Sequence, residues 1–134
     1  MVYPITDIPG LRQELAEILK SEGIRTTIAL LRSAKTARQR ERLAHLTGAD
    51  GATVLGWVTA ADRMRVKGIG TEYSELLGLA GVSTVSELRY RNPKHLAEHL
   101  AEAAKRMRVK LLPKEKMVGR WIESAKKLPP LVRY

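Results

Sequence analysis

Residues 65–88, RVKGIGTEYSELLGLAGVSTVSEL, contain the most informative pattern of the chain. Two glycines, Gly68 and Gly70, stand one residue apart; a stretch with helical spacing follows, and Gly81 and Thr84 come after it. Glycine adopts positive φ without the steric cost that a Cβ brings, so it is the residue that turns a chain between two helices. The glycine pair therefore predicts either a plain joint between helices or a loop that cradles phosphate.

Outside this segment, apolar residues recur at helical spacing and capping residues precede them. Residues 10–21 are predicted to be helical, with Gly23 as the stop. Three further helices are predicted to follow the capping side chains of Thr26, Thr36 and Asp50. No segment alternates cleanly with period two, which argues against strands. The predicted fold class is all-α.

The same order of features occurs twice along the chain. At an offset of 58 residues, Gly10 matches Gly68, and at an offset of 64, Trp57 matches Trp121. Further pairs at the first offset are Leu19 with Leu77, Gly23 with Gly81, Thr26 with Thr84 and Leu30 with Leu88. A unit of this size buries little surface alone. The sequence therefore predicts two repeats of about four short helices each, packed as one compact body, over residues 1–64 and 65–128, with a tail at 129–134.

The repeated unit resembles a helix-hairpin-helix motif. The resemblance rests on Val66-Lys67-Gly68-Ile69-Gly70, on the small residue Ser74, and on Gly81-Val82-Ser83-Thr84. The stretch GVSTVSEL at 81–88 is similar to helical modules of recombinases and of bacterial RNA polymerase alpha subunits. Residues 57–128, from WVTAAD through KGIG to WIESAK, resemble an uncharacterised bacterial family of tandem helix-hairpin-helix repeats. That family has no settled function, so the resemblance implies a fold of two helix-hairpin-helix-type repeats and no activity.

Charge supplies the main indication of function. Lys and Arg number 24 against 14 Asp and Glu, a net charge of +10, which attracts polyanions. Residues 105–120 alone carry seven basic residues and one acidic residue, either as a binding patch or as a solvated helix end and loop. The resemblance implies that backbone N–H groups at the hairpin contact phosphate. The predicted site, for nucleic acid and in particular for double-stranded DNA without sequence preference, comprises Arg65, Lys67, Gly68, Ile69, Gly70, Thr71, Lys105, Arg106, Arg108 and Lys110.

Two carboxylates oppose this interpretation. Glu72 stands where helix-hairpin-helix proteins that bind DNA usually have a basic residue, and Glu14 holds the corresponding place in the first repeat, where Arg12 replaces the second glycine. Each carboxylate suits a helix N-terminus equally well without a ligand. An alternative is therefore a helical protein–protein interaction module that has lost DNA binding. A weaker third hypothesis is a small-molecule cavity between the repeats.

Several classes of function find no support in the sequence. There is no cysteine, which excludes disulfides and thiolate sites and fits the cytoplasm. His95 and His99 share a helix face, but no third metal ligand is evident, so a solvated face is predicted and no metal. No catalytic motif and no cofactor motif occurs, so the protein is predicted not to be an enzyme. No signal peptide and no membrane span is expected, and the oligomeric state is not predicted.

Overall fold

The computed structural model describes residues 1–110 and 112–134, and its regular structure is helical. In the described residues a 3₁₀ helix, Ile5–Asp7, is followed by α1 (Gln13–Ser21), α2 (Thr27–Ser33), α3 (Ala37–Thr47), α4 (Gly51–Arg63), α5 (Thr71–Leu79), α6 (Val85–Leu88), α7 (Pro93–Met107) and α8 (Glu115–Lys126). The one β-type pairing in that part of the chain is an isolated bridge between Pro4 and Thr26. The predicted all-α fold class is confirmed.

Local capping signals set the starts of three of these helices. The side chains of Thr26, Thr36 and Asp50 each accept a hydrogen bond from the backbone N–H three residues later, at 3.1, 3.2 and 2.7 Å. The predicted caps of α2, α3 and α4 are therefore confirmed. The predicted start of the first helix is wrong by three residues. α1 begins at Gln13 because Gly10 has a φ of +79° and Arg12 is extended, so the chain turns before it becomes helical.

Positions that match in sequence have matching conformations. Gly10 and Gly68 have φ values of +79° and +93°, and each turns the chain ahead of a helix. Thr26 and Thr84 each cap a helix through the side-chain oxygen. The two-repeat arrangement itself stays a prediction from the sequence.

The buried apolar side chains form two separate clusters. The first core draws on residues between Ile5 and Ala61, and the second core on residues between Val66 and Ala125. Trp57 lies in the first core and Trp121 in the second, each 2% exposed. Each half of the chain therefore has an apolar interior of its own, and the junction between the halves has to be held by other contacts.

Buried polar groups fill part of that junction, at the end of α4. The Asp62 carboxylate accepts a hydrogen bond from Arg65 Nη1 and another from the Val85 backbone N–H, both at 2.9 Å. Arg63 Nε donates to the carbonyl oxygen of Ser74 at 2.8 Å, and the Ser74 hydroxyl donates to the carbonyl oxygen of Ala60 at 2.9 Å. Because these partners belong to α4, α5 and α6, the network fixes where the second half sits on the first.

The tail, residues 129–134, is non-helical and lies against the first half. Leu131 and Val132 pack on the first core. The Arg133 N–H donates to the Lys35 carbonyl at 2.8 Å, and the buried Arg40 donates through Nη2 to the Arg133 carbonyl at 2.7 Å. The tail thus returns from α8, in the second half, to the surface of the first.

Candidate nucleic-acid interface

The Gly68 hairpin, residues 66–70, is a tight turn that leads into α5. The Ile69 N–H donates to the Val66 carbonyl at 3.1 Å, and Gly68 takes a φ of +93°. Gly70 is the N-cap residue of α5, and no side chain caps that helix. The first-turn N–H groups of a helix lack intrahelical acceptors. This end of α5 therefore presents backbone donors that a ligand acceptor can satisfy.

Two hairpin residues hold the turn in place through contacts with the second core. Ile69 is fully buried there, so its side chain anchors the loop. Gly68 packs beside Trp121, since a Cβ placed on it would lie 3.4 Å from the indole nitrogen. Trp121 is itself oriented by an edge-on contact with Tyr73, with ring centroids 4.9 Å apart. Ile69 therefore belongs to the predicted site only as its support.

Arg65 is also buried, contrary to what a phosphate contact requires. Its side chain pairs with Asp62 at 2.9 Å and donates through Nη2 to the Pro129 carbonyl at 2.8 Å. A guanidinium held by these two partners does not reach solvent. Although Asp62 and Arg65 are three residues apart, Arg65 lies beyond the end of α4 at Arg63, so helical spacing alone does not predict this pairing.

The remaining hairpin residues lie at the surface. Lys67, Gly68 and Thr71 are exposed, and Gly70 is half-buried. The Thr71 hydroxyl donates to the Asp7 carbonyl at 2.6 Å, which ties this end of α5 to the N-terminal segment. Lys67 is thus the one basic side chain of the predicted hairpin residues that stays available to a ligand.

An open cleft of about 840 Å³ lies beside the hairpin. Lys67 and Gly68 form one wall, and α8 forms another through Lys116 and Arg120. The further lining residues are Pro93, Met117, Gly119, Trp121, Glu123 and Ser124. Lys116 and Arg120 fall within the basic stretch at 105–120 but outside the predicted site. Their spacing of four residues, which places both on one face of a helix, was the signal that could have found them.

The basic residues after the middle of α7 lie elsewhere. Lys105, Arg106, Arg108 and Lys110 are all exposed at the surface, and none is among the residues that line the cleft. Their neighbours Met107 and Val109 line a small cavity of about 60 Å³ together with Glu72, Glu75 and Leu76 of α5. The structure therefore brings this cluster close to the carboxylates of α5 and does not bring it to the wall of the cleft.

The turn at Gly10, which we call the first hairpin, resembles the Gly68 hairpin in conformation but has different surroundings. Gly10 and Arg12 line a cavity of about 280 Å³ with Trp57, whose buried indole N–H finds no hydrogen-bond partner among the described residues. The positions that correspond to Lys67, Lys116 and Arg120 are Pro9, Ala52 and Gly56. The first hairpin thus lacks all three cations that surround the cleft at the second.

Other site chemistry is sparse in this part of the molecule. His99 Nδ1 lies 3.0 Å from Arg91 Nη2, a contact that a bound cation would have to displace. Within residues 1–110 and 112–134, no group of three or more side chains could hold a metal ion. None of the helices described there is both long and apolar enough to cross a membrane.

The fold and the site together define an all-helical protein with a basic cleft beside a glycine hairpin. The chain belongs to the family described as a domain of unknown function, DUF4332, whose pattern matches residues 9–128. The match includes both hairpins and all eight α-helices. No curated protein matches the chain, and no solved structure matches it.

Proposed function

We propose that this protein is a non-catalytic nucleic-acid-binding protein that contacts the DNA backbone without sequence preference. In this proposal the Gly68 hairpin is a helix-hairpin-helix turn whose free N–H groups meet phosphate, and Lys67, Lys116 and Arg120 supply positive charge around it. The observation that carries the proposal is the cleft, whose walls include Lys67 and Gly68 of the hairpin together with Lys116 and Arg120 of α8. The first turn of α5, with its N–H groups, lines a separate cavity of about 300 Å³. We place this activity in the cytoplasm, in keeping with a chain that has no cysteine.

The three cations are free to meet a ligand. None of them forms an ion pair within the described part of the chain, whereas the other basic residues include five that do. Unpaired lysine and arginine side chains beside backbone N–H donors are the usual partners of phosphate oxygens. Binding by such groups releases counterions and is independent of base sequence.

Two carboxylates reduce the positive potential without cancelling it. Glu72 is exposed in the first turn of α5, where it also favours the helix N-terminus, and Glu123 lines the cleft. A unit charge near a phosphate at the protein surface repels it by about 1 kcal/mol or somewhat more, depending on exposure. Three cations against two carboxylates leave a net attraction, to which the free N–H groups add.

The test measures how affinity for a short labelled duplex depends on salt. Replacing the cleft cations together, Lys67→Gln with Lys116→Gln and Arg120→Gln, removes the charge that meets up to three phosphates. Between about 50 and 200 mM salt, the slope of log affinity against log salt is expected to fall in magnitude by about 0.9 for each phosphate that is no longer neutralised. Affinity at the lower salt should fall by at least about tenfold, which corresponds to roughly 1.4 kcal/mol.

A matched control removes the same charge from the first half. Arg25, Arg32 and Arg38 are exposed there, so their triple change to Gln is expected to leave the slope nearly unaltered. If both triple variants lose affinity equally, binding is a property of net charge and the proposed site is wrong. Arg65→Gln is a further control, because its guanidinium is buried and its removal should lower stability without changing the slope.

A protein–protein interaction module is the second candidate function. Glu72 and Glu14 favour it, because both are exposed beside a hairpin where a phosphate site would be expected to carry positive charge. If the unmodified protein binds neither duplex nor single-stranded DNA at low salt, the nucleic-acid proposal is refuted and this candidate replaces it.

A further inference from the structure

We infer that the cleft beside Gly68 accepts unpaired nucleotides, so that the preferred ligand is a duplex that continues into a single strand. This inference rests on the proposed function and specifies the ligand of the same site. The hairpin and its N–H groups contact backbone phosphate, and the adjoining cleft receives the sugar and base of the strand that follows.

The composition of the cleft supports an unpaired base. Its interior is mostly apolar, with Met117 and Pro93 as the accessible side chains and with bare backbone at Gly68 and Gly119. A paired duplex presents phosphates and sugars to a protein surface, and these groups gain little from an apolar floor. An unstacked base buries apolar area against such a floor while its phosphates meet the surrounding cations.

The volume of the cleft and the exposure of Met117 also fit an unpaired base. A cleft of about 840 Å³ is within the range of sites that hold small organic groups, which runs from roughly 300 to 1,000 Å³. Met117 is 37% exposed and its thioether is a soft, adaptable contact for a flat ring. Trp121 is only 2% exposed, so its edge contributes to the floor and its face is not a stacking platform.

The first half of the chain offers a comparison, because the groove beside Gly10 corresponds to the cleft beside Gly68. There the groove beside Gly10 contains two cavities of about 280 and 290 Å³, and α5 residues Glu75 and Leu79 line the second of them. The cations of the second half are absent from the corresponding positions. The larger volume and a group of three unpaired cations therefore occur together at the Gly68 hairpin, whereas Arg12 is the one cation among the described residues that line the smaller cavity beside Gly10. A ligand with both a flat apolar part and a negative charge requires this combination.

The experiment fills the cleft without changing its charge. Gly119 lies on α8 opposite Pro93, and a Cβ there would be in ordinary van der Waals contact, 4.0 Å from the Pro93 Cβ. Gly119→Leu places a side chain in the cleft, and Gly119→Ala is the matched control that adds a methyl group in ordinary contact. Met117→Gln, at an exposed position, is a second variant that makes the floor polar without altering the core.

Four probes separate the possible ligands: a blunt duplex, the same duplex with a thymidine overhang, oligothymidine alone and thymidine monophosphate. The unmodified protein is expected to prefer the overhang duplex over the blunt duplex by about tenfold, the factor that follows when a base buries roughly 60 Å² of apolar area at about 25 cal/mol/Å². Gly119→Leu should abolish this preference and Met117→Gln should reduce it, while Gly119→Ala keeps it. In each variant the preference is measured as the ratio of the two affinities, so a loss common to the blunt and the overhang duplex does not count as loss of the preference.

Two outcomes overturn the inference and leave the proposed function standing. The first is equal affinity for blunt and overhang duplexes, and the second is a preference that survives in Gly119→Leu with its fold intact by circular dichroism. Monophosphate binding as tight as that of oligothymidine would identify a free-nucleotide site and refute the strand assignment. Failure to bind any probe refutes the proposed function and the inference together. Binding of an acidic helical peptide that Gly119→Leu blocks, without any overhang preference, would assign the cleft to a protein partner and also overturn it.

Discussion

Replacing Asp62 by alanine should loosen the connection between the two halves of the protein. Asp62 is fully buried and accepts two hydrogen bonds, from the Arg65 guanidinium and from the Val85 N–H at the start of α6. Asp62→Ala leaves the Arg65 charge buried without a counter-charge and the N–H of Val85 without an acceptor. Burial already lowers the pKa of Arg63 to about 10, while the Asp62 charge raises it. Removal of the Asp62 charge therefore disfavours the charged form of Arg63 further.

The expected size of the effect follows from these contacts. Breaking a buried ion pair by removing one partner costs about 3–5 kcal/mol. For 134 residues, with an unfolding entropy of about 2.1 cal/mol/K per residue, this corresponds to a fall in Tm of roughly 10 to 18 °C. The double variant Asp62→Ala with Arg65→Met also removes the Arg65 charge and should recover the part of that stability lost by leaving Arg65 unpaired, whereas the part that involves Arg63 and the Val85 N–H stays lost.

The two tryptophans make the test specific to the junction. Trp57 and Trp121 are both buried, one in each core, so each reports the unfolding of its own half by fluorescence. In Trp57→Phe and Trp121→Phe variants a single tryptophan remains, in the second and the first core respectively. With Asp62 present, urea denaturation of the two variants is expected to give fluorescence transitions at the same urea concentration. With Asp62→Ala the two midpoints should separate. An unchanged midpoint, or a double variant that is destabilised by more than Asp62→Ala alone, would refute the reasoning.

Three further predictions concern single positions. Gly68→Ala should lower stability by about 1–2 kcal/mol in urea denaturation because it forces a side chain to positive φ, whereas Gly119→Ala in α8 should raise it by about 0.5–1 kcal/mol; a decrease at both positions would contradict this. Arg40→Met should free the tail at a cost of about 1.5–3 kcal/mol, visible as faster amide hydrogen exchange at Arg133. Unchanged exchange would show that Arg40 does not hold the tail in place. Hydrogen bonds from the backbone and the side chain of Thr53 hold the pKa of Asp50 below its usual value of 3.8. The contribution of Asp50 to stability is therefore present above pH 3.8 and is lost as the pH falls through the folded-state pKa. Asp50→Asn should therefore show less acid sensitivity in thermal melts between about pH 5 and 2, and an identical pH profile would argue against it.

The features that depend on neighbouring residues could be predicted from the sequence. The all-α fold class, the caps at Thr26, Thr36 and Asp50, and the turn at Gly68 were all predictable, because a cap or a positive φ is decided within about four residues. The start of α1 was the exception. There the helical spacing of apolar residues extends back across the turn at Gly10, and spacing alone does not register a turn.

Which charges face a ligand depends on tertiary contacts. Arg65 and Lys67 are two residues apart, yet Arg65 is buried on Asp62 and the tail while Lys67 faces the cleft. Lys116 and Arg120 reach the Gly68 hairpin because α8 packs in the second core, although they are about fifty residues away in the chain. Whether a cation is solvated or paired depends on groups that folding brings beside it, and the linear order of residues does not specify those groups.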